Sequence, residues 1–226
     1  MRVIIRCAGG SRRWGDFGGV PKHLVKICGE PVLHRTVRLI NEITPDADVK
    51  VVVPDLKDRR YLIDGSSRTV DKPNPDFGDV DKIASSFHLW DPKDRTVVLF
   101  GDVWWTRQAL ESVLTGPVDD WWAWMRIVGD GGEIFAFAFQ PSSRPVVEAA
   151  CRTVADAHQQ GRMDGIPGGW ALYRTLTGNA IDDHADHGHA TQVDDWTDDF
   201  DTPDDWHNWC WRYGTTSPAV RDEVTR

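Results

Sequence analysis

The sequence predicts an α/β chain, a three-layer α/β/α sandwich built on a mostly parallel mixed sheet. Two observations carry that expectation. Short apolar β-type runs alternate with stretches of helical period along most of the 226 residues, and such alternation covers both faces of a parallel sheet with helices. One run, Val97, Val98, Leu99 and Phe100, is apolar at every position rather than at every second one, as in a central strand buried on both faces.

Taken in order, the strands expected are Val3 to Cys7, Val49 to Val53, Thr96 to Phe100, Trp122 to Ile127 and Ile134 to Phe139. The helices between and after them are Val32 to Ile43, Lys82 to Trp90, Arg107 to Leu114 and Pro145 to His158, where apolar residues return at three- and four-residue spacing. A further helix is expected from Pro203, with Thr202 as its N-cap and Asp204 and Asp205 in the first turn, next to the positive end of the helix dipole. The length suits one domain, read as residues 1–213, followed by a polar tail at 214–226. No internal repeat is visible.

Composition narrows the function. A net charge of −9 argues against a polyanion-coating role, since non-specific nucleic-acid binding needs a basic surface. The four cysteines, Cys7, Cys28, Cys151 and Cys210, show no paired spacing, and the first residues are too soon polar for a signal peptide. A reducing cytoplasm is therefore expected. No apolar run approaches the ~20 residues that span a bilayer, so no membrane partner is expected, and a homodimer is left open.

The chemistry concentrates at the start. An apolar strand runs into Ala8, Gly9, Gly10 and Ser11, and the cations Arg12, Arg13 and Lys22 follow. Small residues let backbone N–H groups approach an anion closely, and the cations neutralise charge that builds on a reacting polyphosphate. An ordinary glycine turn with solvated charges explains Ala8 to Gly10 equally well. The longer pattern is more specific. Cys7, Ala8, Gly9, Arg13, Pro21, Lys22, Leu24, Gly29 and Pro31 fall in order on a loop that resembles the signature of the nucleotidyltransferases that make nucleotide sugars and related activated compounds. That signature is Ala-Ala-Gly-x-Gly-x-Arg, then Pro-Lys-x-Leu and a Gly-x-Pro turn. The resembling group includes sugar-phosphate and phosphocholine nucleotidyltransferases and the molybdopterin guanylyltransferase type. Ser11 departs from it in place of the second glycine, and Cys7 in place of the first alanine.

The resemblance implies a Rossmann-like fold of the glycosyltransferase A type and a Mg²⁺-dependent nucleotidyl transfer from a nucleoside triphosphate to a phosphorylated small molecule. It makes Arg13, Lys22 and Asp102 catalytic and places Ala8, Gly9, Gly10, Ser11 and Arg12 at the nucleotide. Asp102 directly follows the buried strand, where a doubly wound sheet presents side chains to its crevice; a helix-capping aspartate is the alternative. The segment Asp198-Asp199-Phe200-Asp201-Thr202-Pro203 resembles the closing Asp-x-Asp-Thr-Pro of these enzymes and makes Asp201 the second metal ligand, with Asp199 next in line. By the same resemblance Ser85 or Ser86 meets base or ribose, and Glu133 meets an acceptor hydroxyl. A helix N-terminus capped by Asp79 or Asp81, and a strand behind a glycine turn, are the alternatives at those two places.

Twelve tryptophans are mostly expected in packing, because each ring buries a large area and only its N–H needs a partner. Trp14 and Trp105 lie beside site residues and are the two best placed to stack instead on a base or sugar, Trp105 on the acceptor side, with packing as the other reading of both; His23, beside Lys22, is the histidine expected to approach the nucleotide. The His184, His187 and His189 cluster with Asp182, Asp183 and Asp186 lacks a nearby cysteine and well-spaced ligands, and is not read as a zinc site. Two rival functions remain at this point. One is an A-type glycosyltransferase that uses Asp102 and a metal; the other is a nucleotide-binding protein without turnover.

Overall fold

In the computed structural model of the protein, residues 1–8, 13–15, 17–71, 73, 78–128, 131–181 and 188–215 are described. They form a mixed sheet of seven strands in the order β10-β8-β9-β6-β1-β4-β5. Its members are β1 Arg2–Arg6, β4 Asp48–Val53, β5 Ser67–Val70, β6 Thr96–Phe100, β8 Trp121–Val128, β9 Gly131–Phe139 and β10 Ala190–Gln192. Strand β1 pairs in parallel with β4 and β6, and β4 with β5, whereas β9 runs antiparallel to both β6 and β8. The centre is the all-apolar run read from sequence: every residue of β6 is buried, which agrees with a strand covered on both faces.

Helices flank the sheet in two groups. α1 (Val32–Ile43) packs with α3 (Arg107–Thr115), and α2 (Gly78–Ser85) packs with α4 (Arg144–Gln159) and α5 (Gly169–Leu176). Among the described residues no helix is long and apolar enough to cross a membrane. The expected helix from Lys82 to Trp90 is corrected. The α-helix begins at Gly78 and ends at Ser85, and Phe87–Leu89 is a separate 3-10 turn. The alternative for this segment, a helix N-terminus at Asp79 or Asp81, agrees with the start of α2: the helix begins at Gly78 with both aspartates in its first turn, Ser85 is its last residue and Ser86 follows it. The closing helix α6, Pro203–Thr215, starts as expected. Thr202 Oγ1 accepts from Asp205 N at 3.2 Å while the Asp205 carboxylate accepts from Thr202 N at 2.7 Å, a reciprocal cap.

Two further ribbons shape the crevice at the carboxyl ends of the central strands. β2 (Lys26–Ile27) pairs with β3 (Glu30–Pro31), and β7 (Val103–Trp104) pairs antiparallel with β11 (Asp198–Asp199). Apart from the main core, a second apolar cluster joins Trp14, Val25, Ile27, Val32, Trp104, Phe200 and Trp209. It ties the end of the first loop, the β2–β3 hairpin, the segment after β6 and the last helix into one floor. Seven of the twelve tryptophans are buried, and Trp211 is the most exposed of them at 69%. The four cysteines are all free thiols.

Candidate active site

Each candidate side chain is fixed by a buried neighbour in sequence. Arg13 precedes Trp14, which is 2% exposed and donates its indole N–H to Val20 O at 2.8 Å. Lys22 opens a short 3-10 turn, Lys22–Leu24, whose other two residues are buried. Asp102 lies two residues before buried Trp104, and Asp201 follows buried Phe200. At Gly101 the backbone comes so close to β1 that an added Cβ would collide with Cys7 Sγ and lie 3.0 Å from Arg6 O. Gly101 N donates to that same carbonyl at 3.1 Å. This close approach sets Asp102 at the mouth of the first loop.

Residues from three distant parts of the chain then meet. Lys22 Nζ forms ion pairs with Asp102 Oδ2 and with Asp201 Oδ1, the latter at 3.0 Å, and Arg13 Nη2 pairs with Asp201 Oδ2. The antiparallel β7–β11 register, Val103 opposite Asp199, explains why the residue before Val103 and the residues after Asp199 come together. Thr106, rather than Asp102, caps α3 by accepting from Ala109 N at 3.1 Å. That leaves Asp102 to the crevice.

The electrostatics of the group follow from its geometry. Burial works against the Lys22 ammonium, but Asp102 and Asp201 outweigh it and hold its proton well above the ordinary lysine range. Burial alone would raise Asp102, yet Lys22 and Lys82 bring it down to about 2. Lys22 is therefore a permanent cation facing an ionised Asp102. Glu133, near the start of β9, is exposed as a residue, but local desolvation of its carboxyl, with Asp201 and Asp79 nearby, pushes it up to about 7. Asp199 rises well above the usual carboxylate range through burial and through Glu133, Asp102 and Asp201. Glu133, Asp199 and Asp201 each offer a ligand atom, all within 4.8 Å of one another. Hard carboxylate oxygens converging in this way are a donor set that suits a hard divalent cation.

Several expectations are corrected by burial. Trp105 is 0% exposed and packs edge-on against Phe135, so neither it nor Trp14 is at the mouth of the crevice to stack on a base or acceptor. Ser86 is fully buried, donating to Ile83 O at 2.7 Å and accepting from the Trp90 indole. Ser85 accepts from Arg6 Nη2 at 3.0 Å and donates to Lys82 O. The Ser86 hydroxyl thus serves the end of α2 rather than a ligand, and the half-buried Ser85 hydroxyl ties α2 to Arg6 of β1. Gly9, Gly10, Ser11 and Arg12 lie outside the described residues, as do His184 and His187 with Asp182, Asp183 and Asp186; His189 stacks on Trp121 with centroids 4.9 Å apart.

His23 is buried under the lysine turn, where its Nε2 shares a hydrogen bond with the Tyr61 hydroxyl. It therefore supports the turn instead of reaching the nucleotide. Burial lowers its pKa to about 4, so the folded protein holds it neutral. The unfolded chain binds that proton near pH 6.5, and folding stability falls as pH drops from about 6.5 to about 4. The loss from this residue is on the order of 3 kcal/mol. Chemical denaturation at pH 7 and pH 4.5 checks this, with His23→Gln expected to flatten the difference.

A Rossmann-like sheet with a small-residue loop, paired cations and converging carboxylates at its carboxyl edge defines a nucleotide-handling transferase. The sequence profile of the MobA-like NTP transferase domain matches residues 3–167, and the chain belongs to that family of nucleotidyltransferases. No curated protein sequence matches it. In fold it is similar to Rv0371c from Mycobacterium tuberculosis H37Rv, at 18% identity and TM-score 0.61 over 93% of this chain and 98% of that one. It is likewise similar to a UDP-glucose pyrophosphorylase complexed with UDP-glucose, at 11% identity and TM-score 0.62 over 94% and 98%. A third is the CTP:phosphocholine cytidylyltransferase LicC of Streptococcus pneumoniae, at 12% identity and TM-score 0.55 over 93% and 98%.

Proposed function

We propose that the protein transfers a nucleoside monophosphate from a nucleoside triphosphate to a phosphorylated small molecule, such as a sugar 1-phosphate or phosphocholine, and releases pyrophosphate. Mg²⁺ is the proposed cofactor, held by Asp102 and Asp201 with Asp199 and Glu133 beside them. The single observation that carries this reading is the meeting of Lys22 with Asp102 and Asp201 at the carboxyl edge of the central strands. The fold shared with a pyrophosphorylase of UDP-glucose and with a phosphocholine cytidylyltransferase supports a phosphorylated acceptor.

In this reaction an oxygen of the acceptor phosphate attacks the α-phosphorus, and the bond to the pyrophosphate oxygen breaks. Little covalent chemistry falls to the protein; positioning and charge carry the rate. When bound, Mg²⁺ supplies neutralising charge to the phosphate oxygens and a fixed template for them. Arg13 and Lys22 meet the charge that builds on the non-bridging oxygens and the leaving pyrophosphate. Lys22 contributes a fixed charge rather than a proton, because its partners hold it protonated. Ala8 with Gly9, Gly10, Ser11 and Arg12 is assigned to the phosphates on the sequence pattern, and Glu133 to an acceptor hydroxyl.

Screening the common triphosphates against a panel of phosphorylated acceptors, with pyrophosphate release as readout, tests the proposal. The expected result is release that needs both substrates and a divalent cation. Release of a nucleoside diphosphate from a sugar nucleotide instead would make the protein a glycosyltransferase, and nucleotide binding with no product would make it a binder without turnover. In the same assay Lys22→Ala is expected to lower turnover by ~100-fold or more with the fold intact. A well-folded variant with a near-normal rate removes Lys22 from the mechanism.

A further inference from the structure

We propose that Lys22 is a built-in counter-ion that closes the Asp102 and Asp201 pair to a free divalent cation and releases it when a nucleoside triphosphate offers its phosphates. The inference rests on the assignment of Asp102 and Asp201 as the metal-holding pair. It goes beyond that assignment by making metal capture conditional on nucleotide.

The contacts support it directly. The ammonium engages one oxygen of each carboxylate, Asp102 Oδ2 and Asp201 Oδ1, while the other oxygen of Asp201 is engaged by Arg13. The three side chains at the centre are only 15–19% exposed, whereas Arg13 is 70% exposed, so water screens the central pairs weakly. A bare cation held between Asp102 and Asp201 competes with the ammonium for Asp102 Oδ2 and Asp201 Oδ1. Lys22 can yield without moving the backbone: its turn is anchored by buried His23 and Leu24, and its charge sits on a flexible four-carbon stem. Phosphate oxygens supply the ammonium with new partners and the cation with further ligands in one event. The two exchanges favour each other, which is a positive coupling between metal and nucleotide.

Mn²⁺ alone, added to the full chain without nucleotide and followed by the electron-spin-resonance signal of the free ion, tests this. Wild type is expected to bind weakly, and Lys22→Met at least tenfold more tightly. Lys22→Arg, which keeps the charge, should stay weak. Adding Asp102→Asn or Asp201→Asn to Lys22→Met should remove the gain. If Lys22→Met binds Mn²⁺ no better than wild type while the aspartate changes still weaken binding, the counter-ion idea is overturned and the metal-holding pair stands. If the aspartate changes have no effect in any background, the metal assignment fails and this proposal with it. Should Lys22→Met fold poorly, Mn²⁺ is expected to raise its unfolding temperature by more than it raises that of wild type. An equal or smaller rise overturns the proposal.

Discussion

Asp102→Asn is expected to lower turnover by roughly 100- to 1,000-fold, the scale seen on removing one preorganised charge stabiliser, with the chain still folded. Asp102 is held ionised, down to about 2, by Lys22 and Lys82 against its burial, and the amide replaces that charge with a dipole. Asp201→Asn is expected to cost a similar factor, since Asp201 contacts both Lys22 and Arg13. The double variant should lose little more than either single one, because residues that act as a unit do not add. Steady-state kinetics across a Mg²⁺ titration, with thermal unfolding as the control for folding, measure this. Losses that multiply would mean that the two carboxylates serve separate steps.

The largest effect on stability is expected at Trp105. It is 0% exposed, lies in the main core with its ring edge-on to Phe135, and its carbonyl oxygen accepts from the buried Arg35 guanidinium. Trp105→Ala should cost ~3–5 kcal/mol, the range for emptying a large buried aromatic site. The folded remainder should keep an ordinary KM for both substrates. Trp14→Ala should also destabilise, and because buried Trp14 anchors the chain next to Arg13 it should reduce kcat as well. Urea unfolding together with kinetics separates these outcomes. A stable Trp105→Ala enzyme with a raised KM would restore the stacking role.

Much of the fold was legible because its signals are local. The all-apolar β6, the helical period of α1, α3 and α4, and the Thr202 cap of α6 each follow from a few neighbouring residues. Sequence reasoning missed the local helix α5 and the β2–β3 hairpin, and with them several strands defined by distant partners. β7 and β11 are two residues each and carry no period of their own, yet their pairing closes the site. β5, with only intermediate or exposed residues, and the three-residue β10 are strands by pairing rather than by pattern. Motif spacing marks Arg13, Lys22, Asp102 and Asp201, and the fold links them through ion pairs. That Lys22 bridges both aspartates is a property of the folded charge cluster, with residues 22, 102 and 201 far apart in the chain. Proximity in sequence to a site residue does not place a ring at the site: Trp14 and Trp105 are both buried. Physically the reverse holds here: a large buried ring beside each functional residue is what fixes it.

The most direct test of the central claim follows the α-phosphorus itself. With the triphosphate and acceptor identified by the panel, the ³¹P spectrum of the reaction should show free pyrophosphate and a product in which the nucleotide α-phosphorus is coupled to the acceptor phosphorus, and both should form at least ~100-fold more slowly with Asp102→Asn. A spectrum in which the triphosphate yields only diphosphate and inorganic phosphate, with the acceptor phosphate still a monoester, would contradict nucleotidyl transfer by this site.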